Sequence, residues 1–293
     1  MIEFIESIAK GDTPSDFYQE VKTIKTQNER ERIKEEVSAI FTTERYRHHG
    51  SSEETLSMVC GSYLTAALIN LNLDALDDPK KNKELDKNID RVEKTIKDIH
   101  SASGYSWEEI RNGFFAEASV AIALKIRGFE VYIPDFADDT KGKIDLIVYD
   151  PDEKIMVPIQ VKTSTNLKGV VLDEIKKGNK ETILQHVSDN WDGKIQSLDS
   201  QKISYAQEKL NLLNDSIVLC IDKMLKYLEP AMESSYRIHP ILIAIPGGQN
   251  CENSMFYNST GAPVGVNKPF DKNSLSDIIY EKLERIIYPE GDE

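Results

Sequence analysis

Residues 143–165 read KIDLIVYDPDEKIMVPIQVKTST, and this stretch decides the fold that the sequence predicts. Apolar, β-branched runs stand on either side of the acidic segment 150–154, whose proline and aspartates are typical of turns. The pattern predicts two strands, over residues 143–149 and 155–163, joined as an antiparallel hairpin. If Asp152 and Glu153 form the tip of this hairpin, the partner of every residue in the two strands is determined.

Three polar side chains interrupt these apolar strands. Asp145 lies in the first strand, and Gln160 and Lys162 lie two residues apart in the second, so they share one face of it. With the tip at residues 152–153, Asp145 lies directly opposite Gln160 and on the same face. Burying a carboxylate, an amide and an ammonium is costly unless they satisfy one another or bind a ligand. The sequence therefore predicts one polar patch made of Asp145, Gln160 and Lys162.

A helix is predicted before the hairpin, over residues 106–127. Ser106 and Glu109 fit a capping box at its start, and Gly128 fits the position just beyond its end. The apolar stripe of this helix contains Ile110, Phe114, Ala121 and Leu124. Glu117 falls on the same stripe. Two interpretations stay open, because Glu117 is either aimed at the polar patch near Asp145 or is a boundary glutamate beside the core.

The rest of the chain is predicted to be largely helical. Residues 1–104 are expected to form a helical N-terminal region, and residues 105–293 an α/β domain. Within that domain a short strand is predicted over residues 129–134, and a helical insertion over about 171–235 with an interruption near 189–193. A β-branched run at 239–245 predicts a further strand, and the tail predicts an amphipathic helix over residues 274–287.

Composition and charge narrow the class of protein. Hydrophobic residues make up 40% and charged residues 29% of the 293 residues, as in soluble globular proteins. No apolar run reaches the roughly 18 residues of a membrane-spanning helix, and the first residues lack a secretory signal. The three cysteines are Cys60, Cys220 and Cys251. They have no metal-ligand spacing, so free thiols in a reducing cytoplasm are predicted. The net charge of −14 argues against a protein that coats nucleic acid, so any such binding needs a local patch.

The order of these features resembles the core of the PD-(D/E)XK nuclease superfamily. A helix with Glu117 is followed by a strand, a strand with Asp145, a hairpin, and a strand with Gln160-Val161-Lys162. The most similar branch has glutamine in the (D/E) position, as in Mrr-type restriction enzymes and a cyanobacterial group I intron homing endonuclease. The matching segments are FAEA at 115–118, RGFEV at 127–131, KIDLIV at 143–148 and IQVKT at 159–163. They lie within about a fifth of the chain.

Two departures from the family pattern stand out. Isoleucine at position 144 replaces the usual proline before Asp145, and the gap from Lys162 to the strand near Ile241 is long, which implies an inserted helical segment. The string PDEK at 151–154 is a second place where the signature could lie. The hairpin register instead makes PDEK the solvated turn.

The resemblance implies a restriction-endonuclease-like core, with a central mixed sheet flanked by helices. It implies a metal-dependent endonuclease, acting on DNA in preference to RNA, with Glu117, Asp145, Gln160 and Lys162 as catalytic residues. Mg²⁺, or Mn²⁺ in its place, would be bound by Asp145, Gln160, the Val161 carbonyl and Glu117. Lys162 would orient or deprotonate the attacking water. The alternative is an inactive nuclease-like fold that serves as a nucleic-acid-binding or assembly module, in which Gln160 and Lys162 belong to a structural hydrogen-bond cluster.

Other polar residues are weaker candidates. Those that could contact a phosphate backbone are Lys143, Thr163, Ser164 and Lys168, together with Arg45 and Arg47 in the segment RYRHHG at 45–50. An ordinary solvated loop is the open alternative for each group. A homodimer is also expected if the substrate is a duplex, because both strands must be cut.

Overall fold

The computed structural model of the chain describes residues 52–77, 79–101, 104–134, 141–150, 152–192, 200–233, 235–247 and 275–288. Arg45 and Arg47 lie outside these described residues, so their predicted role stays a prediction. None of the described helices is long and apolar enough to cross a membrane.

The described residues form a mixed α/β structure with six α-helices and six strands. The helices are α1 Ser52–Asp77, α2 Pro79–His100, α3 Trp107–Ile126, α4 Lys180–Asp189, α5 Ser200–Leu228 and α6 Leu275–Ile287, with a 3-10 turn at Ala231–Glu233. The strands are β1 Val131–Tyr132, β2 Leu146–Asp150, β3 Ile155–Ser164, β4 Val171–Glu174, β5 Arg237–Ile238 and β6 Ile241–Pro246. The α/β class predicted from the sequence is confirmed at this level.

All six strands belong to one mixed sheet, in the order β1-β2-β3-β6-β4, with β5 also paired to β3. Pairs β1–β2, β2–β3 and β4–β6 are antiparallel, whereas β3 runs parallel to β5 and β6. The ten-residue strand β3 is therefore the centre of the sheet. Every residue of β6 is buried, which explains its continuous apolar sequence ILIAIP.

The hairpin register predicted from the sequence is confirmed. Leu146 pairs with Ile159 and Asp150 with Ile155, which puts residues 152 and 153 at the tip. The Asp150 carboxylate accepts the N–H groups of Asp152 at 3.1 Å and Glu153 at 3.0 Å, so the turn is closed by its own aspartate. The residues of PDEK that the structure describes, 152–154, are exposed at this turn.

Helix α3 ends where the sequence predicts. Arg127 is the C-cap residue, and Gly128 follows with a φ of 87°, a left-handed conformation that glycine adopts without steric cost. Its N–H donates to the Lys125 carbonyl at 3.0 Å. Ser106 is the N-cap residue, but its side chain makes no capping hydrogen bond, so the predicted capping box was wrong on that point.

The predicted helical insertion was wrong at its start. Residues 171–174 form the edge strand β4, antiparallel to β6, and the first helix begins only at Lys180. Val171 and Leu172 are buried against the sheet, and this tertiary contact selects the strand although the flanking charged residues suit a helix. The interruption near 189–193 is confirmed, since α4 ends at Asp189.

Two hydrophobic cores cover the two faces of the sheet. The α3-side core contains buried residues of α1, α2, α3 and α6 with Ile159, Val161, Ile241 and Ile243 of the sheet. The α5-side core contains buried residues of α4 and α5 with Ile144, Val171, Leu242 and Ala244. Because side chains alternate along β3, Gln160 and Lys162 lie on the α5 side. Helices α1 and α2, from the predicted N-terminal region, share a core with α3, and the division of the chain at residue 104 stays a prediction.

Candidate nuclease site

A pocket of about 660 Å³ lies where β3 extends past the start of β2. Helix α3 contributes one wall and helix α5 another. The predicted residues that line the pocket are Glu117, Lys143, Asp145, Gln160, Val161, Lys162, Thr163 and Ser164. Lys168 lies outside this lining, with 57% of its side chain exposed and an Asp192 carboxylate 4.0 Å away. The structure thus brings the four predicted catalytic residues to one cavity.

Asp145 is the centre of a hydrogen-bond network at the start of the hairpin. One carboxylate oxygen, Oδ2, accepts both the Val161 N–H at 2.7 Å and the Gln160 side-chain amide. Because strand β2 begins only at Leu146, the Val161 N–H of β3 donates to the Asp145 carboxylate and not to a main-chain carbonyl of β2. The Gln160 Nε2 group also donates to the Val161 carbonyl at 3.1 Å. The side chains of Asp145 and Gln160 are therefore held in one orientation by the strand beside them.

The oxygen atom of the Gln160 side-chain amide lacks a hydrogen-bond partner among the described residues. Gln160 is 3% exposed, and its Oε1 atom is buried without a hydrogen-bond partner among the described residues. The amide orientation follows from its network, because Nε2 faces two acceptors and a flip would place Oε1 against them. A buried acceptor left unsatisfied costs about 1–3 kcal/mol, so this oxygen is suited to a cation or a donor supplied by a ligand.

The donor types at this point suit a hard divalent cation, provided that the Gln160 amide turns Oε1 instead of Nε2 toward Asp145 and Val161. The Gln160 Oε1 atom, the Asp145 and Glu117 carboxylates and the Val161 carbonyl are all oxygen ligands, the type that Mg²⁺ prefers. In the part of the chain that the structure describes, no group of three or more His, Cys, Asp or Glu side chains is arranged to hold a metal ion. The set proposed from the sequence has two carboxylates and is completed by an amide and a main-chain oxygen.

Glu117 reaches the pocket because α3 packs closely on the sheet. Its neighbours Ala116 and Ala118 are fully buried, and such small side chains allow the helix axis to approach the strands. Glu117 itself is half-buried and lines the same pocket as Asp145. This location agrees with the interpretation that aims Glu117 at the polar patch, while its role in metal binding stays a prediction.

Lys162 has a neighbour that sequence reasoning missed. Cys220 of α5 is 2% exposed and lies beside Lys162 and Asp145. Burial raises the pKa of the Cys220 thiol, and the nearby Lys162 ammonium only partly opposes this effect. The group is therefore a neutral thiol at pH 7 and adds no negative charge next to Lys162. A single cysteine in a predicted helix carries no signal of this contact, since the contact depends on how α5 crosses the sheet.

Lys143 sits in a strained backbone conformation at the rim of the pocket. Its φ of 55° is left-handed, which costs a non-glycine residue roughly 1–2 kcal/mol. The loop that precedes it lies against α5, since a Cβ atom at Gly142 would be 2.7 Å from the Tyr227 ring. Ile144 is buried in the α5-side core. Packing on both sides of Lys143 thus maintains the strain and places its cation at the pocket.

The ends of β3 and β6 close the far side of the pocket. The Gly247 N–H donates to the Ser164 carbonyl at 3.0 Å, and a Cβ atom at position 247 would be only 2.1 Å from the Thr163 hydroxyl. The Thr163 Oγ1 atom is buried without a hydrogen-bond partner in the described residues. A side chain at position 247 would therefore have to displace the Thr163 hydroxyl.

Comparisons of the chain with protein family models, with curated proteins and with solved structures gave no match.

Proposed function

We propose that the protein is a divalent-metal-dependent endonuclease that hydrolyses phosphodiester bonds, in DNA rather than RNA. The proposal rests on one observation, which is that Glu117, Asp145, Gln160 and Lys162 line a single pocket. Within it, the buried Gln160 Oε1 atom has no hydrogen-bond partner among the described residues. The site corresponds to the PD-(D/E)XK pattern with Gln160 in the (D/E) position.

The architecture supports the same proposal. The central mixed sheet is flanked by helices on both faces, as expected for a restriction-endonuclease-like core. The candidate residues come from α3, from the residue before β2 and from β3, in the order that the resemblance implies. Strand β4 and helix α4 lie between β3 and β6 in the chain, so part of the long gap after Lys162 extends the sheet.

The residues of the pocket divide the chemistry among them. A divalent ion held by Asp145, Gln160, Glu117 and the Val161 carbonyl would lower the pKa of a bound water and neutralise charge on the phosphate. The Val161 N–H holds the Asp145 carboxylate in position before an ion binds. Lys162, two residues beyond Gln160, would orient the attacking water and stabilise the charge that develops in the transition state.

The charge of the pocket suits a phosphate backbone. Three lysines, Lys143, Lys162 and Lys209, line it together with two carboxylates, Glu117 and Asp145. The pocket is therefore locally basic in a chain of net charge −14. A bound divalent cation would add further positive charge to the pocket. This is the local patch that an acidic protein needs in order to bind nucleic acid.

The proposal is tested by incubating the purified chain with supercoiled plasmid, single-stranded DNA and RNA. Each substrate is given Mg²⁺, Mn²⁺ or EDTA, and the products are separated on gels. We expect cleavage of DNA that requires the metal and is lost in Asp145→Asn. Asparagine can still accept the two N–H groups through its Oδ1 atom, so the fold should be retained. The turn variant Asp152→Asn is the control.

Two outcomes would count against the proposal. If Asp145→Asn cleaves as fast as the wild type, the activity does not belong to this pocket. If no substrate is cut although DNA is bound in EDTA, the alternative of an inactive binding module is favoured. A homodimer remains part of the proposal for duplex cleavage, and light scattering of the same preparations would reveal it.

A further inference from the structure

Helix α5 contributes residues to the pocket that have no role in the proposed catalytic chemistry. Its pocket-lining residues Tyr205, Lys209, Leu212 and Leu213 are spaced so that they share one face of the helix. Leu213 is buried at the edge of the α5-side core. Tyr205 and Leu212, by contrast, are 61% and 56% exposed. We call Tyr205, Lys209 and Leu212 the α5 wall.

The α5 wall continues the buried stripe of its own helix. Farther along α5 the stripe contains Ile217, Ile221, Met224 and Leu228, all buried against the sheet. A helix of 29 residues thus packs along its C-terminal part and extends its apolar face over the pocket. Tyr205 and Leu212 thus present exposed apolar surface at a pocket that also contains many polar groups, and a flat ring such as a nucleic-acid base can pack on such a surface.

The lysine on the wall indicates the chemistry of that occupant. The Lys209 ammonium lies 5.4 Å from the centroid of the Tyr205 ring, a cation–π distance that puts the cation over the ring. An aromatic ring next to a lysine is the arrangement with which proteins bind an exposed base and its phosphate. The same pocket contains Lys162 and Asp145. A base on Tyr205 and the phosphate at Lys162 and Asp145 would therefore be close enough to belong to one strand.

We propose that the α5 wall binds an unpaired nucleotide beside the phosphate to be cut, so that the substrate is DNA with single-stranded or unpaired residues. This inference rests on the proposed nuclease function of the pocket. Bases inside a duplex are stacked on both faces, so only an unpaired base can stack on the face of Tyr205 that Lys209 does not cover. A cavity of about 660 Å³ is in the size range of pockets for small ligands and is large enough for a nucleotide.

The test compares the binding of two probes by the full chain. A fluorescent single-stranded DNA of about 20 nucleotides and a blunt duplex of the same sequence are titrated in EDTA, so that cleavage does not interfere. We expect the wild type to prefer the single strand and Tyr205→Ala to bind it about tenfold more weakly, given the worth of one base–aromatic stack. Tyr205→Phe should keep the affinity, because it keeps the ring. Tyr105→Ala, at a tyrosine 46% exposed but outside the pocket, is the matched control.

A metal-dependent cleavage assay with the same variants separates this inference from the function it rests on. If the chain cleaves duplex DNA, shows no preference for single strands and is unaffected by Tyr205→Ala, the inference is overturned and the nuclease proposal stands. If neither probe is cut but single-strand binding depends on Tyr205, the wall is supported and the nuclease proposal fails. Tyr205→Ala could instead change the molar mass of the protein in light scattering and leave its affinity for single-stranded DNA unchanged. The α5 wall would then be a contact between copies of the chain, and the inference would be overturned.

Discussion

Replacing Gln160 by glutamate probes the unsatisfied amide oxygen most sharply. The substitution removes two donated hydrogen bonds, one to the Asp145 carboxylate and one to the Val161 carbonyl at 3.1 Å, and places a second carboxylate against the first. A hydrogen bond to a charged group is worth about 1.5–3 kcal/mol and a neutral one about 1 kcal/mol. Solvent in the pocket reduces both, so we expect the free energy of unfolding to fall by about 2–3 kcal/mol in EDTA.

The assay is thermal unfolding followed by circular dichroism, in EDTA and in saturating Mg²⁺. For a chain of this size each kcal/mol shifts the Tm by roughly 2–4 °C, so Gln160→Glu should melt about 5–10 °C below the wild type in EDTA. Mg²⁺ should remove most of this difference, because a ligand that binds only the native state stabilises it. The new carboxylate then becomes a metal ligand instead of a repelled charge.

The same variant should also depend on pH in a defined direction. Burial next to Asp145 is expected to raise the pKa of the new carboxyl in the folded metal-free protein above its unfolded value of about 4.3. Below about pH 4.3 the group is protonated in both states, so its O–H can replace one of the two lost hydrogen bonds and the penalty is smaller. The penalty then grows as the pH rises and is complete above the folded pKa, so the Tm difference should be larger at pH 7 than at pH 4.

A matched control exists on the surface of α4. The Gln185 amide donates to the Asp189 carboxylate at 2.8 Å, but this pair is exposed, so Gln185→Glu should change the stability by less than about 0.5 kcal/mol. Equal Tm values for Gln160→Glu and the wild type in EDTA would refute the reasoning. So would an Mg²⁺ shift of the same size in both proteins, because the amide would then have no part in metal binding.

Three further predictions concern neighbouring residues. Lys143 and Lys154 have left-handed φ values of 55° and 52°, so glycine at either position should leave stability unchanged or raise it by up to about 1 kcal/mol in urea unfolding. Only Lys143→Gly should weaken DNA binding, by roughly fivefold for the loss of one solvent-exposed ion pair. An equal loss in both variants would remove Lys143 from the site. Asp152→Ala and Glu153→Ala at the exposed turn should keep cleavage rates within a few-fold of wild type, and a loss as large as that of Asp145→Asn would move the site to PDEK. Glu117→Gln should lower the cleavage rate and the Mg²⁺-induced rise in Tm without destabilising the metal-free protein, and an unchanged Mg²⁺ titration would leave Glu117 outside the metal site.

The hairpin and its polar pair could be predicted from sequence because they depend on local information. The position of the turn fixes the register of β2 on β3, and the register alone puts Asp145 opposite Gln160. The apolar periodicity of α3 likewise placed Glu117 on the side facing the core. In each case the residues that determine the geometry lie within a few positions of the residue whose location was predicted.

Features that depend on distant contacts were missed for a physical reason. Strand β4 is selected by pairing with β6, which lies some 70 residues farther along the chain, and its own residues do not distinguish a strand from a helix. Cys220 lies beside Lys162, and Tyr205 lines the pocket, only because α5 crosses this side of the sheet. Their spacing in the sequence shows one face of a helix but not what that face meets.

The most direct test of the central claim is the single-turnover cleavage rate of Lys162→Met with Mg²⁺ on whichever DNA the wild type cuts. Methionine keeps most of the length of the side chain and removes the cation, so folding should be preserved. Any weaker DNA binding is offset by the excess of protein used in a single-turnover assay. The account predicts a rate lower by about 100-fold to 1,000-fold, as for the loss of one group that stabilises transition-state charge. A Lys162→Met protein that folds normally and cleaves at the wild-type rate would contradict the assignment of this pocket as the active site.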